Sequence, residues 1–193
     1  MLKSKIIYSD DCEALEFVEN YNRLNKKISI GTKDLGDYAR VFYLNDKMVA
    51  GHCINTAFPI HYFKPVPEET WRSLSENEDF VETYQVWINN SAFKVTQMQK
   101  SWIYLVCIYD ALKTGKKYIV GGSLVPKIRD QQMLVLSKPL HSGRLLIDRT
   151  MYDVWIYYNS RAMALVSLPG GIVKNSFRVL MKKARKFNVK VFD

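Results

Sequence analysis

The sequence predicts an α/β (α+β) protein, a single domain over residues 1–193 whose central mixed, mostly antiparallel sheet is flanked by helices. Three stretches carry that expectation. Residues 40–44 and 48–54 are β-favouring runs on either side of Asn45, Asp46 and Lys47, a turn-forming cluster, and so read as an antiparallel hairpin. Residues 83–136 read strand, helix, strand, helix, which favours a right-handed crossover between parallel strands. Residues 145–147 and 154–158 then look like two further antiparallel strands joined by 148–153.

Taken in order, Ile6, Ile7 and Tyr8 form a short strand, and Ser9, Asp10 and Asp11 are N-cap residues for a helix. Over 12–24, Leu15, Val18 and Tyr21 fall near helical spacing, with Glu13, Glu16 and Glu19 between them, acidic groups that suit the start of a helix dipole. Residues 26–38 are a loop marked by Gly31 and Gly36. Within the hairpin, Gly51 signals a bulge or a close backbone approach. The three prolines of 58–67 make that stretch irregular, and 68–74 forms one or two helical turns burying Trp71 and Leu74. After the acidic residues 76–79 comes a strand at 83–88, ended by Asn89, Asn90 and Ser91.

From Gln97 onward Met98, Trp102, Leu105, Val106, Tyr109 and Leu112 recur close to every 3.6 residues, and Gly115 stops the helix. Residues 118–120 are a short buried strand. Gly121, Gly122 and Ser123 lead from it to a helix reaching about residue 136, with Pro126 in its first turn. Residues 162–168 read as one more strand. Pro169, Gly170 and Gly171 break the chain before a basic amphipathic helix at 172–187, and 189–192 reads as a closing strand.

Composition bounds the function. With 48% apolar and 24% charged residues the chain is neither disordered nor collagen-like. Its apolar runs fall far short of the roughly 20 residues a membrane span needs, and the first residues carry no secretory core, so a cytoplasmic protein with no membrane association is expected. Cys12, Cys53 and Cys107 are widely spaced, and His52, His61 and His141 form no HExxH-like pair, so no metal is expected. Residues 1–93 hold 10 Lys and Arg against 14 Asp and Glu, whereas 94–193 hold 18 against 5. A basic second half suits a phosphorylated cofactor or nucleic acid, or is simply a solvated face.

The order of elements, and the texture of 41–51 in particular, where a polar turn is followed by a hydrophobic pair and Gly51, resembles the GCN5-related N-acetyltransferase (GNAT) fold over roughly residues 5–160. That resemblance implies a strand at 83–89 that splays from a parallel neighbour at 118–120 to admit the pantetheine arm of acetyl-CoA or another acyl-CoA. It assigns Trp87, Ile88 and Asn89 to the arm and Lys94, Thr96, Gln99, Lys100 and Ser101 to its phosphates at a helix N-terminus. The glycine-rich phosphate loop of the family has no counterpart in 94–101, nor has its frequent tyrosine in 133–140.

Transfer to an amine needs a route for the amine proton. Glu82 at the mouth of the central strand, Tyr84 within it and His52 on the hairpin are the candidates; the alternative is that Glu82 closes a surface loop and His52 is a hydrogen-bonded sheet residue. Ser123 is a helix N-cap or part of a phosphate site. Trp87, Trp102 and Trp155 stack on a ligand or pack the sheet. Lys182, Lys183, Arg185 and Lys186 on the closing helix form either a nucleic-acid contact or a solvated face. Two classes of function are compatible with these residues: an acyltransferase of the GNAT type moving an acyl group from a CoA-type or acyl-carrier donor to an amine, or a non-catalytic scaffold of that fold binding nucleic acid or a protein. An acyl-homoserine-lactone synthase shares the fold and is the third reading.

Overall fold

The computed structural model describes residues 2–58, 60–75, 79–147 and 149–170. Most of the acidic stretch 76–79, the basic helix expected at 172–187 and the strand expected at 189–192 lie outside them. Among these residues one seven-stranded sheet runs in the order β1-β2-β3-β4-β5-β7-β6. Its strands are β1 (Lys3–Ile7), β2 (Tyr38–Leu44), β3 (Lys47–Asn55), β4 (Phe80–Ile88), β5 (Tyr118–Ser123), β6 (Lys138–Ile147) and β7 (Thr150–Ser160). Neighbours are antiparallel except for β4 and β5, which are parallel and joined through a crossover helix. The predicted fold class is the one observed.

Helices cover both faces. On one lie α1 (Cys12–Leu24), the 60–67 loop and α2 (Glu68–Ser75). On the other lie α3 (Gln97–Lys113), the segment around α4 (Pro126–Gln132) and a helix over residues 161–170. In α1 the buried set Ala14, Phe17, Val18 and Tyr21 falls at 3- and 4-residue intervals, while Leu15 faces solvent. A Cβ at Gly51 would lie 2.4 Å from the Phe17 ring. The glycine of β3 therefore serves as the close approach its position suggested.

Two elements differ from the sequence reading. The apolar stripe singled out in α3 is not its buried face: Met98, Trp102 and Tyr109 are exposed, and Ile103, Cys107, Asp110 and Ala111 are buried. The helix is apolar nearly all round, and the face it buries carries Asp110, whose carboxylate accepts hydrogen bonds from Arg40 (2.5 and 2.8 Å) and His52 (2.9 Å) on the sheet. Residues 162–168 are helical rather than extended. Ala162, Met163, Ala164 and Leu165 are strong helix formers; Ser160 caps them by accepting the Met163 N–H, and Ala164 is fully buried in the core.

Candidate functional site

β4 and β5 pair only through Phe80–Tyr118, Val81–Ile119 and Glu82–Val120. Beyond that point β4 continues along β3 to Ile88, and β5 along β7 to Ser123. Two strand edges, 83–88 and 121–123, thus run on from the apex of a fork. A bulge shapes one of its arms: the β3–β4 register slips between Gly51 and Cys53, and Gln85 takes a positive φ of 51°. The extra residue sets Glu82, Tyr84 and Trp87 toward the α1 face and leaves Thr83 and Val86 toward α3.

On the α3 side of the fork lies a cleft of about 120 Å³. Thr83 and Val86 of β4 line it, with Tyr104, Leu105 and Ile108 of α3, Ile119 of β5 and the segment 131–136 opposite. Its walls are mainly apolar, with Thr83, Ser101, Tyr104, Gln131 and Gln132 bringing polar groups. The outer wall is pinned to β7, where buried Asn159 donates to the Val135 carbonyl at 2.9 Å and the Tyr157 hydroxyl to Gln132.

On the opposite face, at the apex, sits Glu82. It is fully buried, and four donors converge on its carboxylate. Oε1 accepts from Asn55 Nδ2 (2.7 Å), the His61 backbone N–H (2.9 Å) and His61 Nδ1 (2.5 Å), while Oε2 accepts from the Tyr62 backbone N–H (3.1 Å). A carboxylate so placed fixes the His61 tautomer: Nδ1 carries the proton and Nε2 the lone pair. Among the described residues nothing pairs with Nε2, and the His61 side chain is 36% exposed. Its ring stacks on Tyr84, centroids 4.9 Å apart and planes 21° off parallel. The Tyr84 hydroxyl donates to the Asp34 carbonyl at 2.8 Å, and burial pushes its phenol far up from the ordinary tyrosine range.

Next to His61, the half-buried Tyr62 reaches across the fork. Its hydroxyl lies 3.3 Å from the Thr83 carbonyl of β4 and 3.3 Å from the Gly122 carbonyl of β5. Gly122 makes room for it, since a Cβ there would fall 2.5 Å from the Tyr62 ring. His61 and Tyr62 were not singled out as site residues in the sequence. They lie in the proline-rich loop, 21 and 20 positions before the carboxylate that organises them, and no motif announces that pairing.

The residues expected from the sequence are dispersed over the fold. Glu82 and Tyr84 are at the apex. His52 is fully buried against α3, where it meets Asp110 and Phe42 and does not join them. Trp87 packs edge-on against Phe17 at 5.7 Å, Ile88 packs with the core under α3, and Asn89 accepts from Ser91 and the Ala92 N–H in the turn after β4. Thr96 and Gln99 cap each other at the start of α3. Lys94 lines a separate depression beside the β2–β3 turn, Lys100 is half-buried, and Ser101 alone of 94–101 lines the cleft. Ser123 is not a helix cap. The N-cap of α4 is Val125, and the Ser123 hydroxyl instead accepts from the Val125 N–H at 2.9 Å within its own turn. Lys182, Lys183, Arg185 and Lys186 lie outside the described residues. Among the described residues no group of His, Cys, Asp and Glu is arranged to hold a metal, and no helix is long and apolar enough to cross a membrane.

A mixed sheet whose one parallel pair forks around a cleft is the architecture of the GCN5-related N-acetyltransferases, and the chain has that fold. No family model and no curated protein matches the sequence. Solved structures do match in shape. FeeM, an N-acyl amino acid synthase from uncultured soil microbes, superposes with a TM-score of 0.68 over 85% of this chain and 92% of its own, at 7% identity. The acyl-homoserine-lactone synthase LasI gives 0.62 over 89% and 95%, at 13% identity. The putative acetyltransferase yncA from Salmonella typhimurium, solved with acetyl-CoA, gives 0.55 over 82% and 94%, also at 13% identity.

Proposed function

We propose that this protein is an acyltransferase that takes an acyl group from a thioester, carried on CoA or on an acyl-carrier arm, and places it on an amine. The observation that supports this most strongly is the His61–Glu82 pair at the apex of the forked strands, backing onto an apolar cleft. The cleft suits a chain that is apolar with a few amides: its side walls are aliphatic, and the open strand edges 83–88 and 121–123 offer backbone groups to pair with those amides. A thioester supplies an acyl carbon reactive toward amines, and that is all the chemistry asked of it.

The amine must lose a proton as it forms its bond. His61 Nε2 is the acceptor, and Glu82 holds the ring in the competent tautomer and stabilises the imidazolium that results. Tyr84 stacks under the ring and keeps its plane fixed. The donor's phosphates are less well provided for, because Lys94, Thr96, Gln99, Lys100 and Ser101 do not converge on one concavity. That spread favours an acyl donor recognised by its arm and chain. It is also what the second reading, a basic scaffold binding nucleic acid, would show.

The test is to incubate the protein with acetyl-, octanoyl- and palmitoyl-CoA, and with the same acyl groups on a phosphopantetheinylated carrier protein, together with amino acids and spermidine. Released thiol is counted and products are weighed by mass spectrometry. The proposal expects an N-acyl product, and an H61A rate lower by about 10²–10⁴-fold, the usual contribution of a general base. Salt-sensitive DNA or RNA binding with no amide formed would replace it with the scaffold reading.

A further inference from the structure

We propose that Tyr62 is a catalytic hydrogen-bond donor in this reaction, serving the thioester carbonyl oxygen as it becomes an oxyanion. This rests on the acyl-transfer reading above. The position is the first argument. The Tyr62 hydroxyl stands between Thr83 and Gly122, at the apex where β4 and β5 part, and Thr83 also lines the cleft on the far side. The phenol therefore sits in the crotch of the fork, one residue along the loop from His61, with Thr83 between it and the cleft.

The second argument is its hydrogen bonding. One hydroxyl proton serves two carbonyls, each at 3.3 Å, well beyond the usual 2.7–2.8 Å of an O–H···O bond. Neither bond is strong, so turning the proton toward an oxyanion gives up little and gains a charge-assisted bond. The ring itself does not have to move. Glu82 grips the Tyr62 backbone N–H at 3.1 Å, and the ring lies against Gly122, where even a methyl group would collide with it. Burial, with Glu82 nearby, holds the phenol well above its ordinary range, so it remains a protonated donor at neutral pH.

The step balances with Tyr62 keeping its proton throughout. The amine lone pair forms the N–C bond while the C=O π pair moves to oxygen, which accepts the Tyr62 O–H. His61 Nε2 takes the amine proton. The oxygen pair then returns to carbon, the C–S bond breaks with its electrons on sulfur, and the His61 proton goes to the thiolate. Two consecutive residues of one loop thus provide the base and the oxyanion donor.

The experiment compares wild type, Y62F, G122A and variants carrying 3-fluoro- or 3,5-difluorotyrosine at 62, using octanoyl-CoA and an amino-acid mixture, with H61A alongside. Removing one oxyanion donor costs about 10²–10³-fold in kcat, so Y62F should lose that much with KM for octanoyl-CoA within about twofold. G122A, which keeps the phenol but displaces its ring, should show a similar loss. Across the fluorotyrosines kcat should change steadily with phenol acidity, a response that a packing role would not give. A Y62F rate within about threefold of wild type while H61A falls by about 10²-fold or more overturns the Tyr62 assignment and leaves the acyl-transfer reading standing. A change confined to KM, or a kcat indifferent to fluorination, overturns it equally. No product from wild type removes the acyl-transfer reading, and the Tyr62 assignment with it.

Discussion

Replacing Glu82 with Gln keeps its shape and removes its charge, which makes it the sharpest probe of the apex. Four donors point at the carboxylate, from Asn55, the His61 backbone, the His61 ring and the Tyr62 backbone. A Gln side chain offers one acceptor oxygen and turns an N–H₂ toward whatever faces its other end. If the oxygen stays with Asn55 and His61, the Tyr62 N–H faces a donor; if it flips, three donors do. A buried donor left without a partner costs about 1–3 kcal/mol, and the bonds that survive lose their charge assistance. Relief of a buried charge acts in the opposite direction, so the net expectation is a loss of about 2–4 kcal/mol. For a chain of this size that is a fall in thermal midpoint of roughly 5–15 °C. Urea unfolding with an unchanged m-value is the assay, and acyl transfer should fall with it because the His61 tautomer is no longer enforced. A stability change under about 0.5 kcal/mol together with undiminished transfer would refute the role given to Glu82.

Other substitutions separate structure from chemistry. H61A should cost at most about 1 kcal/mol of stability, since the side chain is partly exposed, while lowering transfer by about 10²–10⁴-fold; a loss of transfer no larger than the loss of folded protein would contradict its assignment as base. R40M strips the two-bond partner from buried Asp110 and should destabilise by about 3–5 kcal/mol in chemical denaturation, with no specific effect on the amine KM. Burial holds His52 below the ordinary histidine range despite Asp110, so near pH 6.5 the unfolded chain binds a proton that the folded one does not. Stability should therefore fall as pH drops from about 7 through that region, by up to about 1.4 kcal/mol per pH unit, and H52N should flatten the slope in urea titrations. For Asp110 burial raises the carboxyl, but the hydrogen bonds from His52 and Arg40 hold it below its ordinary value, so its own contribution is lost only at more acid pH. G51A should lower the thermal midpoint, because its methyl would press on Phe17.

Local signals carried most of the architecture. The hairpin around Asn45 and Asp46, where both residues take positive φ, was legible because its turn chemistry is specific. Helix α1 and the strand–helix–strand run through β4 and β5 were legible from periodicity and from Gly115, which has a φ of 79°. The buried face of α3 was not, because two apolar stripes compete there and a long-range ion pair through Asp110 selects between them. The site divides the same way. Glu82 stood out by its place at the mouth of a strand. His61 and Tyr62 did not, because their roles arise from a loop folding back onto that carboxylate, a tertiary event with no local pattern.

The most direct measurement of the central claim is hydrogen exchange of the whole protein, read by mass spectrometry, with and without octanoyl-pantetheine. The account predicts slowed exchange at 83–88, 121–123 and 131–136, the strand edges and outer wall of the fork. Unchanged exchange there under saturating octanoyl-pantetheine would contradict the placement of the donor, and with it the acyl-transfer reading.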